Sequence, residues 1–229
     1  MKRHLSLALL ALLLQSSLGC FSVWAASKDA ETRKVLDNTA AQISKSGGIS
    51  LQFTATSLLG KTTQGSSSGS MDISGKKFYM QTTDMKTWFD GKTQWTLQST
   101  PVLGSPSSTS MEEVSMTEPT GAELQAINPY AFLEIYKRGF NYKMKRGKLT
   151  NGAEGYKIYL TADNAKQEIR EIYLEVDNRY YPVRISMRQG KNQWMRIVIN
   201  RFVTGKTFEQ GHFTFPKDKY PNAEIIDLR

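Results

Sequence analysis

The chain has very few of the residues that bind transition metals, form disulfides or act as thiol nucleophiles. Its 229 residues include one cysteine, Cys20, and two histidines, His4 and His212. Cys20 and His4 both lie in the N-terminal segment that is interpreted below as an export signal, so the rest of the chain keeps one imidazole and no thiol. These counts exclude Cys/His metal cages, disulfides and cysteine nucleophiles from that part of the chain.

Long apolar runs are also scarce. The apolar run from Leu5 to Leu14 is too short to cross about 30 Å of hydrocarbon as a helix. It follows the cationic start Lys2-Arg3 and precedes the small residues of "SVWAAS". This pattern predicts a secretory signal peptide over residues 1–26, a single domain over residues 27–229 and a periplasmic location.

Cys20 leaves an alternative N-terminus open. The sequence "SLGC" partly matches a lipid-attachment box, but Ser17 occupies the outer position where leucine is usual. Cleavage after Ala25 or Ala26 is the favoured prediction, and a lipid anchor through Cys20 is the minority alternative.

The charge is positive without being extreme: 30 Lys+Arg face 21 Asp+Glu, for a net charge of +9. Many cations recur on the polar side of predicted strands. Such a pattern is usually a solvated face, but it can also be an electrostatic patch for an anionic membrane surface or an acidic receptor. Nucleic acid is disfavoured as a partner. These cations are Lys143, Lys145, Arg146, Lys148, Lys157, Arg184, Arg188, Arg196 and Arg201.

Two kinds of periodicity divide the chain. Residues 29–46 carry apolar side chains at helical spacing and predict one amphipathic helix ending at "SGG". From Ile49 the apolar period becomes two and recurs in about ten segments separated by short turns. The alternation predicts a long antiparallel meander with one apolar face.

A second break interrupts the strands. Ser, Thr, Pro and Gly dominate residues 99–119, which predicts a mobile loop. A T-x-x-E capping box begins at Thr120, and Asn128-Pro129 restarts a helical pattern, so residues 120–138 are predicted to form a pair of short lid helices.

The predicted fold class is mainly β with α: a strongly curved antiparallel sheet whose apolar face is covered either by its own side chains, as in a packed barrel, or by the leading helix and the inserted helical pair. Methionine and aromatic side chains are frequent on its apolar face and can adapt to flexible apolar ligands. The pattern alone fits an ordinary packed core slightly better than a ligand cavity.

A run in the first half of the chain carries a family resemblance. "GSMDISGKKFYMQTTDMKTWFDGKTQW", Gly69 to Trp95, resembles the outer-membrane lipoprotein carrier family of the LolA type. "IREIYLEVDNRYYPVRISM" and the closing "FTFPKDKYPNAEIIDL" resemble further segments of the family. The matching positions are Gly69, Phe78, Asp90, Gly91, Lys92, Trp95, Phe213 and Phe215.

The resemblance implies an unclosed, strongly curved antiparallel half-barrel capped by the leading helix and the inserted helical pair. It also implies that the protein is a carrier that holds lipoprotein acyl chains in an apolar cavity and moves them toward the outer membrane. It also implies inner-membrane release machinery and an outer-membrane receptor as partners. We expect a monomer with no cofactor, no metal and no enzymatic activity. One position departs from the family, because Tyr79 stands where carriers have an arginine that latches the lid.

The acyl-chain cavity and its lid are predicted residue by residue. The cavity residues are Phe53, Phe78, Met80, Trp88, Trp95, Tyr142, Met144, Ile158, Leu174, Ile185 and Met187. The lid residues are Leu124, Ile127, Phe132 and Leu133.

Other functions are less well supported. "ATSLLGKT", Ala55 to Thr62, fits a phosphate-loop pattern, but strand-like residues follow it where a helix is required. No carboxylate pair or serine elbow accompanies His212, so an esterase is the weakest alternative. A lipid-binding envelope sensor or regulator of the same fold without transfer activity is the main alternative, and a packed structural barrel is another.

Overall fold

The computed structural model describes residues 20–101, 110–120, 136–137, 139–164 and 166–229. Within them the chain forms one α-helix, α1 (Cys20–Lys45), and twelve strands. The first six strands are β1 (Gly48–Leu59), β2 (Thr62–Ser74), β3 (Lys77–Gln81), β4 (Met85–Phe89), β5 (Gln94–Pro101) and β6 (Ser110–Thr117). The others are β7 (Phe140–Lys148), β8 (Glu154–Ala162), β9 (Ile169–Asp177), β10 (Pro182–Gln189), β11 (Gln193–Lys206) and β12 (Glu224–Asp227).

All twelve strands belong to one open sheet, in the order β12-β6-β5-β4-β3-β2-β1-β11-β10-β9-β8-β7. Two meanders, β1 to β6 and β7 to β11, meet where β1 pairs with β11. Pairing is antiparallel except between β12 and β6. A sheet of this size curls, because every strand adds twist. The predicted fold class, an unclosed half-barrel with a leading helix, is therefore confirmed.

The cross-strand register separates the two faces of the sheet. One row of directly opposed residues is apolar across six strands, and this side is called the inner face. The row is Ala55, Ile197, Ile185, Leu174, Ile158 and Met144. A second row on the same side contains Met195, Met187, Ile172, Leu160 and Tyr142. The opposite side is called the outer face.

Helix α1 lies on the inner face. Its sheet-facing residues recur every three or four positions, as one side of a helix requires: Thr32, Val35, Leu36, Thr39, Ala40 and Ile43. The Thr39 hydroxyl donates a 2.9 Å hydrogen bond to the Val35 carbonyl, so this buried polar group is satisfied within the helix. Within the described residues the helix already includes Cys20, ahead of the predicted residue 29, and it therefore overlaps the end of the predicted signal peptide.

The outer face has a core of its own near β3 to β6. Residues 208–223, between β11 and β12, pack there and bury an outer aromatic cluster: Trp88, Leu97, Val114 and Phe215, with Tyr79, Trp95, Tyr220 and Ala223 at its edge. Trp88 meets Phe215 edge-on, with ring centroids 5.4 Å apart. Burial raises the pKa of Tyr79. Strand β4 is thus covered on both faces.

The predicted mobile loop over residues 99–119 is wrong where the structure describes it. Strand β5 continues to Pro101, and β6 pairs with it from Ser110 to Thr117. The composition is misleading here because Glu113 and Ser115 occupy inner-face positions, so only alternate residues such as Val114 are apolar. Residues 102–109 lie outside the described residues, and so do residues 121–135 and 138 of the predicted lid helices over residues 120–138.

Candidate functional site

Most of the predicted cavity residues meet on the inner face. The register and core contacts bring together Phe53, Phe78, Met80, Tyr142, Met144, Ile158, Leu174, Ile185 and Met187. The two apolar rows that cross β7 to β11 contain no charged residue. The inner face is therefore a broad apolar surface suited to aliphatic ligands.

Two predicted cavity residues are on the wrong face. Trp88 and Trp95 oppose each other in register and, with Tyr79 and Met116, lie on the outer face. On β5, the residues on the inner face beside Trp95 are the polar Gln94 and Thr96. Alternation identifies two faces but does not say which one encloses the site, and here a separate apolar cover makes the outer face hydrophobic as well.

Gly69 explains how Phe53 fits into the inner face. The two residues oppose each other in register, and the Phe53 ring occupies the space above the glycine. A Cβ atom at residue 69 would lie 2.7 Å from Phe53 Cζ and 2.5 Å from the Gln81 carbonyl oxygen. The glycine at the start of the family motif thus makes room for an aromatic ring.

The inner face is only partly covered by α1. A helix is about 10 Å wide, whereas the eight strands from β3 to β7 span roughly 35 Å at ~4.8 Å per strand. In any orientation α1 leaves part of this surface to other cover. Apolar side chains there are accordingly only half buried: Met80, Tyr142, Met144, Ile197 and Ile199. Met195 is 39% exposed.

Cavities lined by described residues are found on the outer face. Four of them have volumes of about 220, 420, 470 and 650 Å³. On the described inner face, the buried side chains of the sheet contact Val35 and Leu36 of α1 directly. Helix α1 therefore occupies part of the apolar surface that a ligand on this face would contact.

A hydrogen bond ties α1 to the end of the predicted lid segment. The buried Tyr136 hydroxyl donates to Asp37 Oδ1 on α1, and its ring meets Tyr142 edge-on at 6.4 Å. The residues Leu124, Ile127, Phe132 and Leu133 lie outside the described residues. Tyr79, at the position of the family's latch arginine, instead donates a 2.8 Å hydrogen bond to Gln81 Oε1 on the outer face, away from α1.

One basic residue marks a border of the apolar surface. Arg146 opposes Tyr156 in register and donates a 2.8 Å hydrogen bond to the Tyr156 hydroxyl. The Arg146 Cζ atom lies over the Tyr156 ring, 4.6 Å from the ring centroid. Tyr156 in turn stacks on Tyr180 with ring centroids 5.9 Å apart. Burial is the main cause that raises the pKa of Tyr156.

Two classes of site find no support in the described residues. No group of three or more His, Cys, Asp or Glu is placed to hold a metal ion in the part of the chain that the structure describes. Among the described helical residues, no segment is both long and apolar enough for a transmembrane helix.

A comparison with solved structures gave distant matches of low identity and low TM-score. A LolA superfamily protein from Nitrosomonas europaea is 9% identical, with a TM-score of 0.40, over 80% of this chain and 97% of that one. Mycobacterium tuberculosis lipoprotein LppX is 13% identical, with a TM-score of 0.39, over 77% of this chain and 98% of that one. MucB of Pseudomonas aeruginosa, in its complex with MucA, is 13% identical, with a TM-score of 0.39, over 82% of this chain and 62% of that one.

A search of curated proteins gave no match to this sequence. The family model for the outer membrane lipoprotein carrier protein LolA matches residues 21–191, which is most of the chain. That span runs from the beginning of α1 to the turn after β10 and includes the apolar rows of the inner face except their β11 residues. The chain therefore belongs to the LolA family of outer membrane lipoprotein carrier proteins.

Proposed function

We propose that this protein is a periplasmic carrier that holds the acyl chains of a lipoprotein on its inner face and moves them toward the outer membrane. The observation that carries the proposal is the uncharged apolar row from Ala55 to Met144, which crosses six strands beneath α1. Family membership supports the choice of lipoprotein acyl chains as the ligand.

The energetics favour exchange of the helix for an acyl chain. Among the α1 residues whose side chains the structure describes, 30–45, Val35 and Leu36 are the large apolar side chains that are fully buried, whereas Thr32 and Thr39 are buried polar residues. Two aliphatic side chains are worth roughly 3–6 kcal/mol of burial, while an acyl chain of about 15 methylenes offers roughly 12 kcal/mol. A bound acyl chain therefore more than offsets the contact that α1 gives up when it moves away.

The same balance permits release. When the ligand leaves, α1 returns to the sheet, and the Tyr136–Asp37 hydrogen bond holds it closed. Inner-membrane release machinery would load the carrier and an outer-membrane receptor would unload it, with no covalent chemistry required. Binding and transfer need no cofactor.

Two variants and a matched control test the inner face. Met80→Asp and Met144→Asp each place a carboxylate on the apolar face, and Asn141→Asp places one on the exposed outer side of β7. We expect at least about tenfold weaker binding of a synthetic triacylated lipopeptide by the two methionine variants, because an ionised carboxylate is costly in an apolar contact. Asn141→Asp should bind as the parent does.

Transfer is measured separately from binding. Donor vesicles that carry a fluorescent triacylated lipoprotein are mixed with acceptor vesicles and catalytic amounts of the protein, while circular dichroism checks that each variant is folded. Accelerated transfer by the parent and slow transfer by Met80→Asp are the expected results. Tight lipopeptide binding without any transfer would instead indicate a lipid sensor, and equal binding by folded methionine variants would refute the inner-face site.

A further inference from the structure

The outer face of β7 to β11 carries a concentrated positive charge. Three rows in register cross these strands and contain six cations against two carboxylates, a surplus of four positive charges. The cations are Lys143, Lys145, Lys157, Arg184, Arg188 and Arg196. Arg146 does not belong to this set, because its register with Tyr156 places it on the inner side.

Both carboxylates on this surface are already neutralised. Glu175 is buried, pairs with Arg184 at 2.9 Å and accepts a 2.7 Å hydrogen bond from the Thr150 amide. Glu171 pairs with Arg188. The four remaining cations make no ion pair with any described residue, so their charge is available to a partner: Lys143, Lys145, Lys157 and Arg196.

An aromatic ladder runs through the middle of this charge. Tyr159 and Tyr173 lie with ring centroids 4.5 Å apart, and Trp194 follows Tyr173 at 5.7 Å. Lys143 Nζ lies 5.4 Å from the Tyr159 ring centroid. Tyr173 is 41% exposed, which is unusual for a large side chain in the centre of a sheet face.

Two adjacent cavities flank the ladder. One of about 420 Å³ is lined by the three lysines together with Tyr159, Tyr173 and Arg184. The other, of about 470 Å³, also contacts Tyr173 and Arg184 and extends to Trp194 and Arg196. Cationic side chains and aromatic rings both line each cavity.

We propose that this basic patch, formed by Lys143, Lys145, Lys157 and Arg196 around the Tyr159–Tyr173–Trp194 ladder, docks the protein on a membrane rich in anionic phospholipids. The proposal concerns the outer face and does not rest on acyl-chain binding by the inner face.

The combination of residues selects a membrane over an acidic protein. Unpaired lysines attract phosphate headgroups at roughly 1 kcal/mol each near an anionic surface, and tyrosine and tryptophan rings place an apolar body at the lipid boundary with a polar tip in water. Five strands at ~4.8 Å spacing give a surface about 20 Å wide, broad enough to meet several headgroups at once. An acidic peptide would need the charges but not the exposed ladder.

The first test measures partition onto vesicles. The full chain is sedimented with vesicles of phosphatidylcholine alone or of phosphatidylcholine with roughly 40% phosphatidylglycerol, which gives the vesicles a negative surface potential. We expect strong binding only to the anionic vesicles, with loss of binding as salt rises. The triple variant Lys143→Gln, Lys145→Gln, Lys157→Gln should bind about 100-fold less tightly.

A matched control removes the same charge elsewhere. Lys76, Lys217 and Lys219 are exposed lysines outside the patch, and their triple glutamine variant should keep most of the binding. Trp194 supplies a second readout. Brominated lipid should quench part of the tryptophan fluorescence of the parent protein and should not quench the tryptophan fluorescence of Trp194→Phe. Equal losses in the two triple variants, equal binding to neutral vesicles, or no binding to anionic vesicles would each overturn the proposal.

Discussion

The Trp88→Ala substitution separates the outer aromatic cluster from the inner face. The Trp88 side chain is 4% exposed, and its ring lies 5.2 Å from Tyr79, 5.4 Å from Phe215 and 6.1 Å from Tyr220 between centroids. Truncation of a buried tryptophan to alanine costs about 3–5 kcal/mol, because the lost burial is compounded by the cavity left behind. We expect the free energy of unfolding to fall by that amount in urea titrations analysed by linear extrapolation.

The same variant should leave ligand binding intact. Trp88 lies on the face opposite Phe78 and Met80, so lipopeptide affinity measured below the melting temperature should stay within about twofold of the parent. Phe215→Ala is the matched control, because it empties the other half of the same contact and should destabilise without weakening binding. A Trp88→Ala protein with parental stability and lost lipopeptide binding would refute the assignment of faces.

Three further outcomes are expected from local contacts. Gly69→Ala should destabilise the fold by about 1–3 kcal/mol, seen as a lower urea midpoint, because the new Cβ meets Phe53 and a backbone carbonyl of β3; an unchanged midpoint would contradict this. Tyr136→Phe should cost about 1 kcal/mol and speed hydrogen exchange of α1 amides, and unaltered exchange would count against the closing role of that bond. Hydrogen bonds from Arg229 lower the pKa of Asp227 to about 2 from 3.8. The stabilisation from this pair is therefore present above the ordinary pKa of the carboxyl group and is lost as the pH falls through the lowered pKa. In Arg229→Ala, the pKa of Asp227 measured by NMR titration should return toward 3.8, and a value still near 2 would exclude the arginine as the cause.

The alternation of side chains in the sequence predicts the curved antiparallel sheet and most of its inner face, whereas the unclosed barrel follows from the family resemblance. A period of two is a local property, so pairs such as Phe78 and Met80 follow from the sequence alone. The two tryptophans were misassigned because a strand buried on both faces has no polar side to mark the outside, as in β4. Its second cover, residues 208–223, lies more than a hundred residues away in the chain, and no local pattern shows where it packs.

The hairpin of β5 and β6 was missed for a different physical reason. Composition indicated a loop because serine and threonine are frequent in turns, but the inner face near this edge is itself polar, with Thr96 opposite Ser115. The neutralisation of Glu175 and Glu171 likewise depends on cross-strand register. Sequence could indicate a basic face, but only register shows which charges remain available.

The methionine methyl groups offer the most direct measurement of acyl-chain binding on the inner face. Met80, Met144 and Met195 lie on that face, whereas Met116 opposes Trp95 on the outer face. With ¹³C-methyl methionine and a triacylated lipopeptide, the account predicts nuclear Overhauser contacts from the acyl methylenes to the three inner methyls and none to Met116. Saturating ligand that shifts Met116 while leaving the three inner methyls unchanged would contradict the account.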